Sequence, residues 1–389
     1  MLQIKLELSL NKGEELWQQS LFGLTIKRRM IYNFYTKKKE VHNMTKMLQE
    51  IFQQPKVLGE IESANKETLT ALVKELNAKK ITHAVLSARG SSDHAAVYGQ
   101  YLLGIYRGIV SALAIPSCIT LYDGNPDMSG DLVVGISQSG EAADAIAVIE
   151  KANEQGAVTV SVTNNKNSPL AKIAQYHLYC NAGLEESVAA TKTFTAQMYL
   201  LALLSAYWSD NSKLLDSLRA LPEALEQAVE SIGSAAAKRV ERYRYMFEGF
   251  VLARGLCYPV ALEMALKIQE TCYIKMQGYA VSDFYHGPLA QINPDVPVIL
   301  LAPAGEALED SQAMIDRINS MGTQVLVVTD DEALANKSEN SVLLPSLGSE
   351  VTSAFLFTVF AQCFAESLSV LKGLNPDSPR ALKKITITK

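Results

Sequence analysis

Cysteine is scarce in this 389-residue chain and is never paired in spacing. Cys118, Cys180, Cys257, Cys272 and Cys363 form no CxxC and no Cys/His cluster, which excludes zinc-finger-like ligand sets, and their odd number leaves no complete disulfide framework. Cys118, Cys180 and Cys257 lie in or beside apolar runs and are expected as reduced core residues of a cytoplasmic protein. A run of 18 consecutive apolar residues is missing, as is an N-terminal signal-peptide block, so no membrane partner is expected. A basic excess is missing too. The net charge is −5, and the first 43 residues hold 8 Lys/Arg against 4 Asp/Glu, so the rest carries about −9. An acidic body argues against nonspecific nucleic-acid binding but leaves room for a small anion held at local helix termini. Neither a GxGxxG at the first strand–helix turn nor a GxxxxGK[ST] occurs, which weakens dinucleotide and P-loop readings.

What the chain does have is 48% hydrophobic residues, enough for two or three cores. Five strand candidates (83–88, 110–115, 132–137, 157–162 and 176–180) alternate with helical stretches, which is the rhythm of a parallel sheet covered on both faces. A second set follows at 250–253, 274–279, 298–302, 324–329 and 341–344. Both sets open on a strand ending in Ala-Arg-Gly, at Ala88-Arg89-Gly90 and Ala253-Arg254-Gly255, as a duplicated α/β unit would. The expected organisation is a poorly ordered extension over 1–43, a helical segment over 44–76 that Pro55 interrupts or caps, and a first unit over 77–230. A second unit then covers 240–370, and a C-terminal tail runs over 371–389 as a frayed end or folded back over a cleft. The extension carries Lys27-Arg28-Arg29 and Lys37-Lys38-Lys39 among aromatic residues.

The densest chemical signal is DLVVGISQSGE, residues 131–141. An apolar strand empties into a Ser/Gly turn before a helix, so backbone N–H groups, the hydroxyls of Ser137 and Ser139 and the amide of Gln138 can converge on a phosphate. Ser91 and Ser92 follow the first strand in the same way. A third turn, Val188-Ala189-Ala190-Thr191-Lys192, precedes another helix, with Thr191 as a candidate N-cap. A serine-rich turn can also do no more than hold its own backbone. Further along, Glu263, Lys267 and Glu270 share one helix face while Leu262, Leu266 and Ile268 point inward. That row is either a solvated ladder of ion pairs or a carboxylate poised for proton transfer beside a tuning ammonium. His286, in an Asp-Phe-Tyr-His-Gly-Pro turn, is a candidate proton shuttle, and His94, near the first Ser turn, a lesser one. His83 and His177 fall in strands and read as packed or edge residues. Lys383 and Lys384 in the tail are surface lysines or contacts to an anion or carbonyl.

Five ordered stretches, GISQSGEAADAI, SVAATKTFTAQ, ALEMALKIQETCYI, HGPLAQI and PRALKKITITK, resemble the sugar isomerase (SIS) domains of glucosamine-6-phosphate synthase and of stand-alone glucosamine-6-phosphate deaminases. The resemblance implies two tandem SIS domains, each a five-stranded parallel sheet flanked by helices in an α/β three-layer fold, assembled as a homodimer with shared sites. It places sugar-phosphate contacts on Ser92, Ser137, Gln138, Ser139 and Val188, with Ala189, Thr191 and Lys383 beside them. Ala142 stands where the family has a threonine. It places the C1/C2 proton carrier on Glu270, charge stabilisation on Lys267 and orientation of its neighbours on Glu263. Ring opening falls on His286 from across the dimer, and Lys384 either forms a Schiff base or closes the tail. The chain lacks room for the glutaminase domain of the synthase, so deamination of glucosamine 6-phosphate to fructose 6-phosphate and ammonia is the expected activity, without metal or cofactor. Another phosphosugar isomerase, a galactosamine-6-phosphate deaminase, a deglycase and a non-catalytic sugar-phosphate sensor are the alternatives. A sugar-phosphate effector in the second unit is a further possible partner, though no effector motif marks it.

Overall fold

The computed structural model describes residues 44–384; the extension over 1–43 and the last five residues lie outside the described residues. Two helices open it, the short α1 (Lys46–Phe52) and the long α2 (Gln54–Lys79), and Pro55 stands in the first turn of α2, where its missing N–H costs nothing. The first sheet comprises β1 (His83–Ser87), β2 (Val110–Leu113), β3 (Leu132–Ile136), β4 (Val158–Thr163) and β5 (Tyr176–Tyr179). All its pairings are parallel, in the order β2-β1-β3-β4-β5. Helices α3 (Ser91–Arg107), α4 (Ser117–Thr120), α5 (Ala143–Glu154) and α6 (Pro169–Ile173) connect these strands, and α7 (Lys192–Ser209) and α8 (Ser212–Arg239) follow.

The second sheet comprises β6 (Glu248–Ala253), β7 (Lys275–Ala280), β8 (Val298–Ala302), β9 (Val325–Thr329) and β10 (Ser341–Leu343), again all parallel, in the order β10-β9-β8-β6-β7. Its helices are α9 (Tyr258–Cys272), α10 (Val281–Phe284), α11 (Leu308–Ser320), α12 (Glu332–Lys337) and the closing α13 (Glu350–Leu371). In both sheets the first strand lies between the second and the third, so the two Ala-Arg-Gly strands occupy equivalent central positions and the duplication read from two tripeptides is a duplication of topology.

Strand alternation sorts side chains onto two faces. Leu86, Val134 and Val160 of the first sheet and Val251, Ile299 and Leu326 of the second enter one continuous core with α2, α7, α8, α9 and α13. Their neighbours Val133, Phe250, Leu252 and Val298 face two smaller outer cores. The two sheets thus share a central helical layer. Burial corrects four sequence expectations. Leu262 and Leu266 are half-buried while Glu263 and Lys267 of the same helix are fully buried, and Cys118 is exposed. Thr191 occupies the N-cap position of α7 without a side-chain cap bond, because its hydroxyl is turned to Glu185. Finally, α13 is long and apolar enough to cross a membrane by composition, its polar Ser, Thr and Gln residues notwithstanding, but 83% of its apolar window is buried in the fold.

Gly140 closes the β3–α5 turn at φ +69°, and a Cβ there would lie 2.1 Å from Ser168 Oγ. Gly140→Ala is expected to destabilise the fold by about 2 kcal/mol or more, from backbone strain plus the clash. A denaturation midpoint equal to wild type would contradict this packing.

Candidate active site

The strand order makes the site. With β2 on one side of β1 and β3 on the other, connections leave in opposite directions and a crevice opens at the carboxyl ends of β1 and β3, the place where open parallel sheets take ligands. Both serine turns stand there. After β1, Gly90 at φ 58° turns the chain into α3, which begins at Ser91; Ser92 is 9% exposed. After β3, Ser137 Oγ accepts a hydrogen bond from Gly140 N–H at 3.1 Å and Ser139 Oγ accepts from Glu141 N–H at 3.2 Å. These bonds fix the turn and use only lone pairs, so each hydroxyl keeps its proton for an anion. Gln138 is half-buried in the same turn, and Ala142, at the N-cap of α5, contributes no cap bond. Arg89 pairs with Asp144 at 2.8 Å and ties the end of β1 to the first turn of α5, a clamp between the two turns that sequence reading missed.

The second unit delivers α9 to this crevice. Lys267, wholly buried, lies 3.3 Å from Glu263 Oε1 and 2.5 Å from Glu270 Oε2, and donates to Ser91 Oγ at 3.0 Å. The carboxylate contacts are close ion pairs, and burial of the lysine keeps water from screening them. Glu263 Oε2 lies 2.8 Å from His94 Nδ1 on α3. Burial opposes the charge on Glu263, yet Lys267, with His94 and Ser91 beside it, holds its carboxyl below the usual carboxylate range. Burial also opposes the charge on Lys267, and its two carboxylates hold its ammonium above the usual lysine range. Glu270 is the most accessible of the three, with 21% of its side chain exposed, as a proton carrier must be. The row is therefore no solvated ladder: two of its members are sealed between domains and the third faces out.

A second cluster forms at the head of α7. Glu185, fully buried, accepts from Thr191 N–H (2.9 Å), Thr193 N–H (3.1 Å), the Thr193 hydroxyl (2.7 Å) and Lys384 Nζ (2.6 Å). Burial would push this carboxyl up, but Lys384 and these donors hold it down. Lys384 also donates to Ser187 O at 2.8 Å, and Ser187 N–H binds Glu50 of α1 at 3.2 Å. Val188 and Ala189 belong to this pinned loop. The tail reaches it by a fixed route: Asp377 accepts from Lys46 and Met47 N–H at the start of α1, and Arg380 lies over the Tyr273 ring at 4.2 Å. The segment from 372 to 384 thus folds back over the body.

Not every expected residue converges. His286 is exposed on the segment after β7, with its backbone bound to Asp283 and no bond to the α9 row. Lys383 is exposed and makes no hydrogen bond among the described residues. Glu185 and Glu50 were missed because a glutamate in a loop reads as solvated until tertiary contacts bury it. A cavity of about 410 Å³ between α11 and α12, lined by Gln312, Ile315, Thr323, Val327, Leu334 and Asn340 among others, contains none of these residues.

Lys267→Met leaves Glu263 buried without its cation and should cost about 3–5 kcal/mol of stability; an unchanged urea midpoint would refute the ion-pair row. The depressed carboxyls carry a pH signature. The unfolded chain takes up their protons first as pH falls, so their contribution is full at neutral pH and is lost as pH drops through the ordinary glutamate range toward the lower folded values. Glu185→Gln should lower stability at pH 7 and flatten the decline below about pH 5, as thermal melts across pH 3–7 would read; parallel profiles would exclude Glu185 as a contributor.

The comparisons agree with this architecture. The family model described as the SIS domain matches residues 75–206 and 249–372. The glutamine–fructose-6-phosphate aminotransferase (isomerizing) of Aquifex aeolicus is 34% identical over 313 residues, 80% of this chain and 52% of its own length. The chain thus spans about half the length of such relatives. The solved C-terminal domain of glucosamine-fructose-6-phosphate aminotransferase from Francisella tularensis aligns with TM-score 0.77 at 25% identity, covering 87% of this chain and 99% of that one. Glucosamine-6-phosphate deaminase from Thermotoga maritima shares the fold, with TM-score 0.70 at 22% identity over 88% of this chain and 100% of that one. With a parallel sheet in each half and a serine-turn crevice in the first, the chain belongs to the SIS-domain family, as a tandem of two such domains.

Proposed function

We propose that this protein is an aminosugar-phosphate isomerase that deaminates glucosamine 6-phosphate to fructose 6-phosphate and ammonia. The observation that carries the reading is the buried Lys267 ammonium, which touches Glu263 and Glu270 and also Ser91 at the mouth of the phosphate cradle. A sugar held by its phosphate at Ser92, Ser137, Gln138 and Ser139 would extend its first two carbons toward α9. Binding energy from the remote phosphate then serves the reacting end. In the reaction so read, Glu270 removes the C2 proton and returns it to C1, and Lys267 stabilises the charge of the enolamine between these steps. Water adds to the C2 imine and ammonia departs.

Two features favour deamination over amide transfer from glutamine. Lys384 Nζ donates to Glu185 and to Ser187 O, contacts that engage the amine whose lone pair a Schiff base requires. A deaminase has no need of that lone pair, since its substrate already carries nitrogen, and the tail lysine is then a latch. The solved Thermotoga maritima deaminase has the same fold over its whole length. A cytoplasmic homodimer is part of the reading: exposed His286, away from the α9 row of its own chain, would open the pyranose ring in the site of a second copy.

Purified protein given glucosamine 6-phosphate should release ammonia and fructose 6-phosphate in equal amounts. Absence of both, with glucosamine 6-phosphate binding intact, would favour a sensor instead. Glu270→Gln should cut kcat about 100-fold or more with the melting curve preserved, by the usual worth of a positioned base; near-wild-type turnover would remove Glu270 from the role.

A further inference from the structure

His94 stands in the first turn of α3, two residues beyond Ser92 and three beyond Ser91, and its ring binds across the domain boundary to Glu263 on α9 at 2.8 Å through Nδ1. Glu263 is wholly buried and also faces Lys267, so its oxygens act as acceptors in an ionised carboxylate. An ionised carboxylate can only accept, which puts the hydrogen on Nδ1. In the neutral ring the basic lone pair then resides on Nε2, and no described residue binds that nitrogen. Sixteen percent of the His94 side chain remains open to solvent. A buried carboxylate that fixes an imidazole tautomer and leaves Nε2 free is the arrangement by which a histidine becomes an oriented general base.

We infer that His94, oriented by Glu263, is the general acid and base for the exchange of water for ammonia at C2 of the sugar. The inference rests on the deaminase reading and assigns to a residue of the same chain the step that Glu270 does not perform. The chemistry balances without a co-reactant. Return of the proton to C1 of the enolamine leaves the C2 imine protonated, as C=NH2+. Nε2 takes one proton from water as its oxygen bonds to C2 and the C=N pair returns to nitrogen, giving a neutral carbinolamine. The imidazolium passes that proton to the amine, the C2–N bond breaks with its electrons on nitrogen, and ammonia leaves. The remaining hydroxyl gives its proton to Nε2, which passes it to solvent, as the C2 ketone forms. Glu263 keeps its charge throughout and stabilises the imidazolium between the two transfers. Glu263 is therefore a positioning residue that serves Lys267 on one oxygen and His94 on the other.

The test separates this step from proton transfer between carbons. His94→Asn preserves a short donor for Glu263 but deletes Nε2. In deuterated water with glucosamine 6-phosphate, this variant should release ammonia about 100-fold more slowly than wild type while still placing deuterium at C2 of the recovered substrate. Glu270→Gln should lose both signals. Wild-type ammonia release by His94→Asn would overturn the inference. Loss of deuterium incorporation together with ammonia release in His94→Asn would overturn it as well, because His94 would then act only by placing Glu263 and Lys267. If the wild-type protein itself releases no ammonia, the deaminase reading fails first, a result distinct from either of these.

Discussion

A single buried ammonium organises this molecule. Lys267 sits at 0% exposure between two carboxylates of its own helix and a serine hydroxyl of the other domain. Desolvating one charge in isolation is prohibitive, so lysine, glutamates and serine turn have to assemble together or not at all. That requirement sets the placement of α9 against the head of α3, and with it the relation between the charged row of the second domain and the serine turns of the first. Neither domain holds this cluster by itself.

The shared helical layer makes this placement rigid. One apolar core runs from the inner face of the first sheet, through α7, α8, α9 and α13, to the inner face of the second. Interiors packed in this way resist sliding by fractions of an ångström, which the proposed transfer between adjacent carbons would require. Polar links cross the same layer: Gln54 donates to Gln362 at 2.7 Å, and Gln362 donates to Thr191 O at 3.2 Å, joining α2, α13 and the loop that Lys384 latches. The tail, the loop before α7 and the start of α1 therefore form one connected structure beside the crevice.

Two carboxylates with the same surroundings in sequence terms play different parts. Glu185 and Glu263 are both fully buried and both kept ionised by a lysine, one from the tail and one from its own helix. Glu185 uses its oxygens to satisfy the orphan N–H groups at the start of α7, a task a carboxylate suits because the helix dipole favours it there. Glu263 uses its oxygens on side chains that face the candidate chemistry. Place relative to a helix, bound to its first N–H groups from a preceding loop or standing midway along it, separates the carboxylate that ties a helix start from the one in the candidate site.

Much of the fold was legible in the sequence. All ten strands occur where apolar runs meet turn residues, their ends shifted by at most two residues, and the serine turns stand at strand termini because that is where a strand–turn–helix sequence must put them. Parallel strands buried on both faces announce themselves as near-continuous apolar runs. The sequence by itself also determined that Glu263, Lys267 and Glu270 share a helix face, since a period of 3.6 residues allows nothing else. Whether that face met water or protein was decided only by tertiary structure, because periodicity reports direction around a helix and not what lies opposite. The same holds for Leu262 and Leu266, whose apolarity suggested the interior, and for His94, whose partner lies 169 residues away on another domain. Local pattern fixes which side chains point together; the burial that turns a row of charges into a site arises from contacts distant in sequence, which no local pattern encodes.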